Sequence, residues 1–99
     1  MTGRSILFHP EAVEEARAAR LWYGERNEDA AVAFMTELDR AVGAVRAEPS
    51  AWPPCLAGTR RHVLRRFPYS LIYRKTGSTI VVVAVAHASR RPGYWRGRE

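Results

Sequence analysis

His87 leaves the end of a long apolar run, and Arg90, Arg91 and Tyr94 follow it closely. An imidazole beside guanidiniums and a phenol is a set that moves protons during phosphodiester cleavage, with the guanidiniums gripping the phosphate. A second basic segment, RRHVLRRF, lies upstream. In an extended chain alternate residues share a face, so Arg61, Val63, Arg65 and Phe67 point one way and His62, Leu64 and Arg66 the other. If the chain were a nuclease, His87, Arg90 and Tyr94 would be the residues to carry it. Each feature also has a plain structural reading. A charged edge strand resists unwanted pairing, a lone histidine often serves as a hydrogen-bonding strut, and Pro92-Gly93-Tyr94-Trp95 reads as a turn that anchors the tail by burying Trp95.

Other chemistries find no footing. The acids Glu11, Glu14, Glu15, Glu25, Glu28, Asp29, Glu37 and Asp39 sit at spacings that read as a solvated helix face. No metal-ligand spacing, glycine-rich phosphate loop or serine elbow is present, so no metal and no cofactor is expected. Cys55 is alone, which excludes an intrachain disulfide, and it reads as a small half-buried loop residue.

The elements that must position these residues follow from the periodicity. Ser5–Phe8 reads as a short strand. Pro10 suits a first helical position, and Glu11, Glu14 and Glu15 suit the positive end of the dipole. Val13, Ala16, Ala19 and Tyr23 recur at helical spacing up to Gly24, a natural stop. Asn27 can cap a second helix, whose stripe is Ala31, Phe34, Leu38, Ala41 and Val45, ended by Pro49. Glu48–Thr59 is a proline-rich loop, from which Trp52 plugs the core edge. Beyond Gly58 the pattern becomes extended: Arg61–Arg66, Tyr69–Arg74 and Thr79–Ala86, with a hairpin turn at Lys75–Ser78. The run Ile80–Ala86 has no polar alternation, so both its faces should be covered. The expected class is α+β in the order β-α-α-β-β-β, one domain over 1–99. It would be a twisted antiparallel sheet with an N-terminal helical hairpin packed on one face and basic and aromatic residues on the other.

Charge is divided unevenly along this plan. From Arg60 to Glu99 ten basic residues face one acid, a formal charge of +9; from Met1 to Thr59 six face nine acids, a charge of −3. Such asymmetry calls for a polyanionic or strongly acidic partner. The basic side is almost all arginine, whose planar fork grips phosphate or carboxylate with two bonds. The contact candidates are Arg61, Arg65, Arg66, Tyr73, Arg90, Arg91, Tyr94 and Trp95. No apolar run is long enough to cross a bilayer or to serve as a signal peptide, so a cytoplasmic location with no membrane partner is expected.

Two phrases, VLRRFPYSLIYR and VVVAVAHASRRPGYW, resemble the RelE/ParE superfamily of toxins from type II toxin–antitoxin modules, and the helical stripe A-x-x-F-x-x-x-L-x-x-A is similar too. The resemblance covers nearly the whole chain. It implies a growth-inhibiting toxin, neutralised by a cognate antitoxin that wraps an acidic, partly disordered segment around it. It also implies a possible toxin–antitoxin heterotetramer, reaching operator DNA only through the antitoxin. RelE-like members cleave mRNA in the ribosome, and ParE-like members poison DNA gyrase without catalysis. Arg65, Arg90 or Arg91, and Tyr94 fall near the RelE-like positions. The lysines of that branch are missing, since Lys75 is the only lysine and lies in a turn. The F-P-Y and H-x-x-R-R-P-G-Y-W phrasing is closer to the ParE-like branch. Gyrase is therefore the expected target, a ribosome-dependent mRNA endonuclease the alternative, and an enzymatic role is not favoured.

Overall fold

The computed structural model describes residues 4–98; Met1–Gly3, and Glu99 at the end of the basic tail, lie outside the described residues. The elements run β1 (Ser5–Phe8), α1 (Pro10–Arg26), α2 (Glu28–Ala47), two short 3-10 turns at Pro49–Ala51 and Leu56–Gly58, β2 (Arg60–Val63), β3 (Tyr69–Thr76) and β4 (Thr79–His87). The strands form one sheet in the order β1-β4-β3-β2.

The helices start and stop where side chains satisfy their end groups. Pro10 occupies the first turn, and the His9 imidazole Nδ1 accepts the Glu11 amide at 3.1 Å. Asn27 closes α1 and opens α2. Its amide donates to the Tyr23 carbonyl at 2.7 Å, while its Oδ1 accepts the amides of Asp29 at 2.8 Å and Ala30 at 3.3 Å. Gly24 is not the expected stop. A Cβ there would lie 3.3 Å from Glu28 Oε1 and 3.6 Å from the Ala31 Cβ, so this glycine lets the two helices approach.

The sheet is mixed where an all-antiparallel one was expected. The β2–β3 and β3–β4 pairs are antiparallel, but β1 lies parallel to β4, with Ile6 opposite Ile80 and Phe8 opposite Val82. The helical hairpin dictates this. α1 carries on past the end of β1 until Tyr23 stands beside Tyr69, and α2 returns, so that Arg4 donates to the carbonyls of Arg46 and Ala47. β2 thus starts at the same end as β1, and two further reversals send β4 in the direction of β1.

The main core lies between the hairpin and one sheet face. Ala31, Phe34, Leu38, Ala41 and Val45 are buried as the stripe required, against Leu71, Tyr73, Ile80, Val82 and Val85. The α1 stripe differs from expectation only at its start: Ala12 is buried and Val13 is 47% exposed, whereas Ala19 is buried and Ala16 and Tyr23 pack on the core as the spacing required. β4 is covered on both faces, as its composition demands. The pairing shifts between Ile72, opposite Ala84, and Tyr73, opposite Val82, so Val83 is an extra residue in a bulge. Val83 and Ala84 consequently both face away from the helices. There they join Ile72 and Trp95 in a second small core. The face expected to be open is therefore roofed by the tail, with Trp95 only 4% exposed.

β2 is also shorter than expected. The chain leaves the sheet after Val63, with the Leu64 amide still donating to the Tyr69 carbonyl at 2.9 Å, and Arg65 and Arg66 belong to the turn into β3. Trp52 packs on the main core from its loop and rests on His62 with ring centroids 4.1 Å apart.

Candidate functional site

The tail builds a basic surface from Arg90 and Arg91. After β4 the Ala88 amide donates to the Pro68 carbonyl at 2.8 Å and the Arg90 amide to the His87 carbonyl at 3.0 Å, which turns the chain back across the sheet. Gly93 takes a φ of +78°, a conformation side chains resist, and Trp95 drops onto Ile72, Val83 and Ala84. This fold-back leaves Arg90 and Arg91 exposed. Arg61, projecting from β2, meets them. All three line a cleft of about 130 Å³ together with Ser70, His87 and Tyr94, and among the described residues no carboxylate lines it. The Arg90 guanidinium lies over the Tyr94 ring, 3.8 Å from its centroid. None of the three arginines has a carboxylate partner among the described residues.

Glu15 holds this tail in place. β1 stops opposite Val82, so the later half of β4 has no strand on that edge. The Glu15 carboxylate accepts the Val85 amide at 2.9 Å and the Tyr94 hydroxyl at 2.6 Å, and is clasped by Arg98 at 3.0 and 2.9 Å. Arg98 in turn donates to the Val83 carbonyl at 3.0 Å. The carboxylate thus stands where a strand's carbonyl would stand, and the guanidinium where its amide would. Burial alone would push the Glu15 carboxyl up, but Arg98, Tyr94 and the Val85 amide outweigh it and hold it below its ordinary value. Burial and the facing carboxylate push the Tyr94 hydroxyl well above its ordinary value, so it stays protonated.

A second site lies between α2 and β2. A groove of about 460 Å³ has an apolar floor that includes Ala41, Ala44, Trp52 and Leu64, with Arg40, Arg61 and Arg65 among its lining. Val63, 55% exposed, stands on the free edge of β2 beside it. Glu37 sets the geometry of the rim. It is 6% exposed, and its Oε2 accepts the amides of Arg65 and, at 3.2 Å, Arg66, whose Nε lies 3.5 Å from Oε1. Burial again pushes this carboxyl up, and the two amides and the Arg66 guanidinium bring it below the ordinary range. Burial holds His62, at the back of the groove, below its ordinary value. The Trp52 Nε1 is buried there without a partner.

The candidates read from the sequence divide accordingly. Arg61, Arg90 and Arg91 converge. Arg65 and Arg66 sit on the other rim, exposed. Tyr73 is not a contact residue: it is 0% exposed, and its hydroxyl donates to the Pro49 carbonyl. Trp95 is not one either, because it roofs the second core. Tyr94 is half-buried with its hydroxyl committed to Glu15. The nuclease set is divided between two adjoining clefts: His87, Arg90 and Tyr94 line the tail cleft and Arg65 lines the α2–β2 groove, with Arg61 common to both. The His87 Nδ1 accepts the Ser89 amide at 3.0 Å and lies 2.8 Å from the Ser89 hydroxyl. Glu15, Glu37 and Arg98 were not singled out by the sequence. Glu15 lies three residues after buried Ala12 and four before Ala19, and Glu37 three after Phe34 and four before Ala41, so each occupies a buried helical stripe. That spacing was the available signal; Arg98 carried none. Among the described residues there is no cluster of His, Cys, Asp and Glu fit for a metal, and no helix long and apolar enough to cross a membrane.

A helical hairpin on a mixed four-stranded sheet, with a basic tail folded over the far face, defines the RelE/ParE class of small toxins. Residues 6–92 match the family described as the ParE toxin of type II toxin–antitoxin system, parDE. The chain belongs to this ParE toxin family, and its role is that of the toxin of such a module, with a cognate antitoxin as partner. Among solved structures it is similar to the chromosomal ParDE toxin–antitoxin system from P. aeruginosa, with a TM-score of 0.78 and 19% identity over 90% of this chain and 100% of the other. At that identity the likeness speaks for the fold. No curated protein matches.

Proposed function

We propose that this toxin inhibits DNA gyrase, as is typical of its family, and has no catalytic step of its own. The observation that carries this is the separation of the nuclease candidates: Arg65 lies in one cleft, while His87, Arg90 and Tyr94 lie in another, with the Tyr94 hydroxyl already bound to Glu15. What remains is a recognition surface, three arginines without carboxylate partners among the described residues. Such groups add 1.5–3 kcal/mol each, about tenfold or more in affinity, when a partner supplies an acceptor. A gyrase target places the toxin in the cytoplasm.

The antitoxin's acidic segment fits the α2–β2 groove, whose apolar floor and arginine rim complement a chain of alternating apolar and acidic residues. The complex would then assemble as a toxin–antitoxin heterotetramer that meets operator DNA through the antitoxin.

The purified toxin is expected to block gyrase supercoiling of a relaxed plasmid. The Arg90→Glu/Arg91→Glu double variant, altered only at exposed positions, is expected to need at least tenfold more protein for the same inhibition. Unimpaired supercoiling, with cleavage of translated mRNA seen by primer extension after induction, would refute the reading in favour of a ribosome-dependent endonuclease.

A further inference from the structure

The pairing register puts the arginines of the tail cleft on one side of the sheet. Arg61 stands opposite Ile72 and Val63 opposite Ser70, and Ile72 joins Trp95 in the second core. Arg61 and Ser70 therefore point to the face that the tail covers. Arg90 and Arg91 come to the same cleft from the tail itself. The Arg90 guanidinium rests on the Tyr94 ring, 3.8 Å from its centroid, and the Tyr94 hydroxyl is fixed by Glu15 at 2.6 Å. This cation is thus held before any ligand arrives, and has less freedom to lose on binding.

Three guanidiniums without carboxylate partners among the described residues repel one another until a ligand brings negative charge. The density of that charge selects the ligand. Duplex DNA carries one charge per roughly 1.7 Å of its axis, whereas an extended acidic peptide spaces its same-face carboxylates about 7 Å apart. Several cations in one small cleft suit the denser chain. The cleft also lacks a free aromatic face. Arg90 covers the Tyr94 ring, Trp95 is only 4% exposed, and His87 turns its ring to Tyr69, which packs on the main core on the helix side. Single strands bind by stacking their bases on aromatic faces, which this cleft withholds. We propose that the cleft is a site for the phosphate backbone of duplex DNA, with Arg61, Arg90 and Arg91 on the phosphates and the Ser70 hydroxyl as a further donor. The proposal deepens the gyrase reading, on which the choice of DNA over RNA rests: the toxin bears on the DNA that gyrase holds as well as on the enzyme. Phosphate contacts carry no base information, so selection of the operator stays with the antitoxin.

The test is fluorescence anisotropy of the full chain with a labelled DNA duplex of about 20 base pairs and arbitrary sequence, across the salt range that exposes counterion release. Each arginine on a phosphate adds about 0.9 to the slope of log affinity against log salt. Three of them predict a slope at least as steep as about −2.7, a loss of roughly fortyfold between about 50 and 200 mM salt. Arg90→Gln/Arg91→Gln is expected to make the slope shallower by about 1.8. Arg17→Gln/Arg20→Gln, which removes the same charge from exposed positions of α1, is expected to leave it unchanged. Circular dichroism checks that both variants are folded. The proposal is overturned if Arg90→Gln/Arg91→Gln keeps the parent's slope, if polyglutamate of matched charge binds as tightly as the duplex, or if a single strand of the same length binds about tenfold tighter. A chain that fails this test yet blocks supercoiling loses only the DNA contact; one that passes it and leaves supercoiling intact loses only the gyrase target.

Discussion

Glu15→Gln is expected to lower the free energy of unfolding by about 3 kcal/mol. Glutamine has nearly the same shape, so the loss reports charge and hydrogen bonding. The variant leaves Arg98, whose side chain is only 11% exposed, with Glu11 as its remaining carboxylate neighbour, at 3.3 Å and on a side chain 67% exposed. It also weakens the acceptor for the Tyr94 hydroxyl and the Val85 amide. Urea unfolding of the full chain measures the effect. A loss below 1 kcal/mol would mean that the Glu15–Arg98 pair merely breaks even against its desolvation. The same pair makes stability depend on acid. The folded-state carboxyls of Glu15 and Glu37 both lie below the ordinary 4.5. Their contribution is fully present above that value and is lost as pH falls through the lower folded-state values, because the unfolded chain takes up the protons first. A urea midpoint that declines gently below about pH 7, where the unfolded chain protonates His62 before the folded one, and drops steeply below about pH 5 is expected for the parent, with a shallower acid drop for Glu15→Gln.

Glu37→Ala is expected to cost a similar amount, about 3 kcal/mol, by a different route. Its carboxylate is the acceptor for two consecutive backbone amides, and alanine strands both beneath the turn. Glu37→Gln keeps one acceptor oxygen and should lose about half as much, so the pair of variants separates missing hydrogen bonds from missing charge. The turn carries Arg65 and Arg66, so the alanine variant should also weaken antitoxin binding at the groove. Calorimetric titration with the antitoxin, on the variant at a temperature where it is still folded, checks this. Unchanged affinity together with lowered stability would remove Arg65 and Arg66 from that interface.

The long periodic elements were legible because one physical signal dominated each of them. The α2 stripe from Ala31 to Val45 and the unbroken run Ile80–Ala86 state their burial outright, and Asn27 states a helix boundary. Alternation in RRHVLRRF put Arg61 and Val63 on one face of β2, as a period of two requires, and both are exposed. What failed were features fixed by partners distant in sequence. Gly24 reads as a stop until Glu28 and Ala31 are found pressed against it. The direction of β1 depends on where two helices deliver the chain, which no local window contains. The spacing of the acids taken together reads as a solvated helix face, yet Glu15 and Glu37 each stand on a buried stripe, where backbone amides distant in sequence receive them. The convergence of Arg61 with Arg90 and Arg91 was legible, but the roof over the second sheet face was not, because it required knowing that a bulge at Val83 would turn two successive apolar residues to one side.

The side-chain substitute for a missing strand on β4 also has a kinetic meaning. Glu15 and Arg98 are separated by 83 positions, so their contact closes a loop spanning most of the chain. Joining such distant points carries a large entropic cost and is rewarded only after the hairpins between them exist. The clasp should therefore be absent from the folding transition state. Weakening it would speed unfolding and leave the folding rate nearly untouched. The lifetime of the folded toxin, rather than its ease of formation, thus rests on the clasp in which Glu11 and Glu15 of the first helix hold Tyr94 and Arg98 of the tail.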